Sequence, residues 1–204
     1  MNYGPGVLAA VLLFSTCGFL NAASTSREET VDLSEHSFQS DLGDITAVRL
    51  HLKDGDFRIR GVDSDDITIR SDGKNATTGH MKVHLKRSGG VLDITFSDVP
   101  KNECQVTIAI PKEETLFARM RGGDMAVDGV TGSKDLELVG GDLSIQVPDP
   151  SEYGPVDLSV RFGDVSGSQF GNPEGWMGNS VHWDGAGKYR LHAHVFAGDL
   201  TLKP

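Results

Sequence analysis

Three sets of side chains in this 204-residue sequence are of types and at spacings that could do chemistry. The first is the aspartates that follow a glycine: Gly55-Asp56, Gly123-Asp124, Gly141-Asp142, Gly163-Asp164 and Gly198-Asp199, with a further pair at Gly43-Asp44. If the segments that carry them stack, Asp124, Asp142 and Asp164 form a column with neighbours about 4.8 Å apart, and carboxylates at that distance repel unless a cation, water or an arginine relieves them. Calcium takes such oxygen ligands. The calcium-binding repeat G-G-x-G-x-D, however, needs a second glycine that "GGDMAVDGV" and "GGDLSIQVP" lack. Arg119, Arg121 and Arg161 precede the corners and favour charge pairing. The expected role of the Gly-Asp pairs is therefore structural, with aspartate capping a corner amide, and calcium binding is the alternative.

The second set is histidine. His192 and His194 lie two apart, so in a strand both point the same way as Arg190, and His182 falls on the preceding strand of a hairpin turning at Asp184 to Gly187. Imidazoles so placed suit zinc or copper. Arg190 on the same face opposes a cation, and no cysteine or carboxylate falls at ligand spacing, so a solvated strand face is expected; His80 with His84 is a weaker pair still. The third set is aromatic: Trp176, Trp183 and Phe196 could form a sugar-stacking platform around the insertion "FGNPEGWMGNSVHWDGAG". The structural alternative makes Trp183 a core residue beside Val181, with Trp176 capping the last coil.

No G-x-S-x-G, H-E-x-x-H or phosphate-loop motif occurs, so the chain reads as non-enzymatic, with no cofactor. A glycosidase-type carboxylate pair would need a cleft, and the loops are short. Asn75 heads an N-x-T sequon, a frequent chance match. The formal charge of −10, with no long basic run, argues against a nucleic-acid partner.

The elements that must position these groups are strands. From Ile45 onward apolar and polar residues alternate: Val48, Leu50 and Leu52 against Arg49, His51 and Lys53, and likewise through Leu143, Ile145 and Val147 to Leu191, Ala193 and Val195. Each strand thus has one buried and one solvated side. An apolar residue follows every Gly-Asp pair, and the aspartates recur 18 residues apart from Asp124 to Asp142, 22 to Asp164 and 35 to Asp199. A period near 20 in a chain of short strands predicts a solenoid whose coils turn at the same glycine corner. The expected fold is an all-β, single-domain β-solenoid of some eight short coils.

The Gly-Asp corners, the early "LHLKDGDFRIRGVDSDDITI" and the closing "WDGAGKYRLHAHVFAGDLTLKP" together resemble the putative-adhesin domain of bacterial envelope proteins over Ile45 to Pro204. That resemblance implies a β-solenoid, export, and no catalytic residues to carry over.

The N-terminus fits export as well. The apolar stretch Val7 to Leu20 followed by Ala22, Ala23 and Ser24 reads as a secretory signal over residues 1–23, although its start carries no Lys or Arg. Cys17 is a poor lipidation site, with Phe14 where a smaller aliphatic residue is expected. Residues 24–44 form a polar N-terminal segment or cap, and 45–204 the repeat domain. After cleavage only Cys104 remains, excluding an internal disulfide, and its alternation with Val106, Ile108 and Ile110 marks it as a small buried hydrophobe. The sequence thus predicts an exported envelope protein, in the periplasm, at the outer surface or secreted, without a membrane span once the signal is cut. Its partner would be an envelope or extracellular polysaccharide or protein. The alternatives are a carbohydrate-binding or carbohydrate-active protein using the 170–184 loop and a calcium-stabilised module.

Overall fold

The computed structural model describes residues 26–33, 37–72, 81–99, 105–175 and 178–204. The segment read as a signal, with Cys17, and Asn75, His80, Cys104 and Trp176, lie outside the described residues. In chain order the strands are β1 (Arg27–Asp32), β2 (Phe38–Asp41), β3 (Ala47–Asp54), β4 (Asp56–Val62), β5 (Asp66–Asp72), β6 (Lys82–Ser88), β7 (Val91–Ser97), β8 (Gln105–Pro111) and β9 (Thr115–Gly122). They continue as β10 (Met125–Asp128), β11 (Lys134–Gly140), β12 (Leu143–Gln146), β13 (Tyr153–Phe162), β14 (Val165–Ser166), β15 (Asn179–Asp184), β16 (Tyr189–Ala197) and β17 (Leu200–Lys203). The one helical turn among the described residues, Pro150–Glu152, is capped by Asp149, whose carboxylate accepts from the Ser151 amide at 2.9 Å.

The strands form two mixed, open sheets. The larger runs β1-β6-β7-β3-β9-β11-β16-β13-β15 and the smaller β14-β17-β12-β10-β4-β8-β5-β2. Alternation predicts the all-β class, and the structure has it. Pairing is parallel from β7 to β13 in the larger sheet and from β14 to β8 in the smaller, and antiparallel towards β1, β15 and β2. The inward rows of both sheets share one core, and the edge-to-face contact of Phe57 on β4 with Phe96 on β7 (centroids 5.3 Å apart) spans them.

Five strand pairs, β3/β4, β9/β10, β11/β12, β16/β17 and β13/β14, each step from the larger to the smaller sheet through a Gly-Asp corner. Their order in space is not their order in the chain: β16/β17 sits between β11/β12 and β13/β14, and β7/β8 stacks outside β3/β4. The 35-residue gap before Asp199 therefore holds a return path rather than one enlarged coil. The expected hairpin at Asp184 to Gly187 is also not formed. β15 and β16 both pair with β13, on its opposite sides, because β16 follows the parallel stack while β15 doubles back as the edge strand.

The end strands are managed as exposed edges require. The segment 24–44, expected as a polar N-terminal segment or cap, supplies β1 and β2, the edges of the two sheets at the same end of the stack. At the other end Phe170, 3 % exposed, closes the core against Tyr153, and Glu174 exchanges two backbone hydrogen bonds with Ser180 on the free side of β15.

Candidate binding face

The Gly-Asp corners stack in the order Asp56, Asp124, Asp142, Asp199, Asp164, so Asp164 is not the neighbour of Asp142 that the sequence spacing suggests. Three of the carboxylates cap the next corner's amide across the stack, and a fourth, that of Asp164, accepts from a side chain. The Asp142 amide donates to Asp124 Oδ1 at 3.4 Å, that of Asp199 to Asp142 Oδ1 at 3.1 Å, and that of Asp164 to Asp199 Oδ1 at 3.0 Å; Asn179 Nδ2 donates to Asp164 Oδ1 at 2.7 Å. The arginines preceding the corners do not meet this column. Arg119 bonds Asp135 and Glu137, Arg121 bonds Asp54, and Arg161 stacks on aromatic rings. In-register strands let each aspartate reach the next corner, while the arginines leave the strand on the larger sheet's outer side. No group of three metal-ligating side chains occurs among the described residues. Asp199→Ala is expected to cost about 1 kcal/mol, the usual worth of a capping acceptor. Urea melts should show the same loss in calcium and in chelator, and a loss confined to calcium would restore the calcium reading.

The outer face of the larger sheet collects most of the chemistry. One row crosses all nine strands as Glu28, Lys86, Asp93, Arg49, Phe117, Asp135, His192, Asp157 and His182. The adjacent row reads Thr30, His84, Thr95, His51, Arg119, Glu137, His194, Ser159 and Ser180. These rows neutralise themselves. Arg49 pairs with Asp93 at 3.1 Å; Arg119 bonds Asp135 at 3.1 Å and Glu137 at 2.9 Å; His192 Nδ1 lies 2.9 Å from Asp135; Lys86 pairs with Glu28 at 3.1 Å. Partial burial pushes the Asp135 carboxyl up, but hydrogen bonds from His192 and Arg119 outweigh it and hold the group below the ordinary carboxylate value.

His192 and His194 thus share the outer face as expected, with His182 two strands away across Asp157. Their Nδ1 atoms are committed to Asp135 and to Ser159 (2.9 Å). His84, the weaker histidine candidate, and His51, on the polar side of its strand by alternation, also lie on this face, each alternating with buried Leu85 or Leu50. They line an open depression of about 270 Å³ with Glu28, Lys86 and Asp93. Trp183 is 45 % exposed at the edge strand and leans on Phe170, centroids 6.4 Å apart.

One buried group has no counterpart among the expected sites. Lys134, 1 % exposed, takes a core position in register with Leu116 and Leu191. Its Nζ donates to the Gly132 carbonyl at 3.0 Å and to the Tyr153 hydroxyl, which donates in turn to Thr131 O at 3.0 Å. Burial pulls its pKa down to about 7, with the Glu152 charge acting the other way. The signal was present in "KDLELV", where Lys134 keeps step with Leu136 and Leu138.

No family model and no curated protein matches the chain. Among solved structures, that of a putative cell adhesion protein from Clostridium sporogenes aligns over 88 % of this chain and 99 % of its own, with a TM-score of 0.51 at 10 % identity. A putative adhesin from Parabacteroides merdae aligns over 62 % of each chain with a TM-score of 0.22 at 16 % identity. At such identity the first likeness is one of fold alone. No helix among the described residues is long and apolar enough to cross a membrane.

Proposed function

We propose that this is an exported, non-enzymatic, adhesin-like protein of the bacterial cell envelope, whose stacked Gly-Asp coils act as a short solenoid-like rod that presents the outer face of the larger sheet to a partner. The observation that carries the reading is that face itself. Two rows of polar and charged side chains cross nine strands in register, tied together by cross-strand pairs, which gives a rigid hydrophilic surface rather than a cleft. The signal-like N-terminus and the fold shared with a protein named for cell adhesion support placing that surface outside the cytoplasm.

Protease shaving of intact cells, with mass spectrometry of released peptides and of the mature N-terminus, tests this. Release of peptides from residue 24 onward, with residues 1–23 absent, is the expected result. Protection until the outer envelope is breached would remove direct adhesion and favour a periplasmic scaffold.

A further inference from the structure

We propose that a single row at the corner rim of the larger sheet binds a linear acidic glycan, one whose sugar rings bear carboxylates. This deepens the binding reading above and rests on it. The paired residues on either side, Leu52, Met120, Leu138, Val195 and Val160 before and Asp54, Gly122, Gly140, Ala197 and Phe162 after, bring Lys53, Arg121, Val139, Phe196 and Arg161 side by side, one residue per strand. Five strands at the usual spacing make a row about 19 Å long. Its centre is apolar and solvent-facing: Val139 is 54 % exposed, Phe196 42 %, and Phe162, edge-to-face with Phe196 at 5.5 Å, 52 %. Cations stand at both ends, Lys53 at one beside an Arg121 already paired with Asp54 at 2.8 Å, and Arg161 at the other. The Arg161 guanidinium lies 5.7 Å from the Phe162 centroid and 5.6 Å from that of Phe196, and neither it nor Lys53 has an ion pair among the described residues.

An arginine held against two rings is oriented and uncommitted, ready for a carboxylate. Exposed apolar side chains lined up with such a cation mark a binding site rather than a solvated face.

Two observations select a glycan. The rows beside this one are already neutralised across strands, so a broad protein partner would desolvate them for no gain. The row runs across strands that each have a neighbour on both sides, so a peptide laid along it finds no open sheet edge of the kind that strand addition uses. A chain of pyranose rings needs only apolar faces to stack on and side-chain donors for its carboxylates.

Titration calorimetry of the purified exported chain with hexagalacturonate, against a neutral hexasaccharide, provides the test. Expected are saturable binding of the acidic oligomer, at least tenfold weaker binding of the neutral one, and a loss of about tenfold in both Arg161→Gln and Phe196→Ser, the size of a typical contact residue. Both sites are exposed, so the melting temperature should hold. No binding, equal binding of the neutral sugar, or variants that bind unchanged would each overturn the proposal. So would a dimer that Phe196→Ser dissociates, or tighter binding of an acidic peptide, since either gives the row to a protein. If hexagalacturonate is ignored while shaving releases the chain from cells, the inference falls and the broader reading stands.

Discussion

Replacing Lys134 with methionine is expected to make the protein more stable at pH 6 and less pH-sensitive above it. The unfolded chain holds its lysine proton to an ordinary 10.5, whereas the folded site releases it near 7. Between those values the unfolded state binds more protons, so wild-type stability rises with pH through that window and is flat below it. At about 1.36 kcal/mol per pH unit the full rise approaches roughly 5 kcal/mol. The Tyr153 hydroxyl, whose pKa burial raises, sets the upper end. Above about pH 10 an unfolded tyrosine loses its proton first, and stability falls again.

Methionine fills the same unbranched volume without a charge, and Tyr153 keeps its bond to the Thr131 carbonyl. The Gly132 carbonyl loses its donor, so the net gain at pH 6 is put at about 2–3 kcal/mol. By pH 9.5 wild-type Lys134 is neutral and fully bonded, and the order reverses. Urea melts across pH should therefore show two curves that cross. Parallel curves would mean that Lys134 stays charged in the fold, held by the Tyr153 ring 4.6 Å from its Nζ. Lys134→Arg, which cannot shed its proton, should destabilise at every pH.

The same lysine shows what the sequence makes legible. Alternation at period two places Lys134, His51 and His194 on their faces correctly, because a side chain's side of the sheet is a local property of the strand. Which strand lies next to which is not local. The spacing of Asp124, Asp142 and Asp164 suggests consecutive neighbours, yet Asp199 comes between the last two because β13 leaves the stack's end and β16 returns inside it. The same non-local pairing breaks the expected hairpin and separates His182 from His192. For the same reason the sequence groups Phe196 with Trp176 and Trp183 rather than with Val139 and Arg161, which are far from it in the chain and meet it only once the strands are ordered.

Two glycines at the same backbone angle separate conformation from contact. Gly141 and Gly171 both have φ of +121°, where any side chain is strained, so alanine at either pays that conformational penalty of about 1–2 kcal/mol. At Gly171 the new methyl meets nothing within 4 Å. At Gly141 it would fall inside the carbonyl group of Gly123, since the corner glycines of neighbouring strand pairs sit directly on one another. The Gly141 amide also donates to the Ala197 carbonyl at 2.9 Å, so the corner cannot back away without opening the ladder to β16. Gly141→Ala is therefore expected to cost roughly 3 kcal/mol or more beyond Gly171→Ala, enough to endanger a domain of ordinary stability. Soluble yield and urea midpoints of the two variants measure the difference. Equal midpoints would show that the coils can slide apart at the corner, which would make the Gly-Asp repeat a matter of backbone angle alone rather than of stacking.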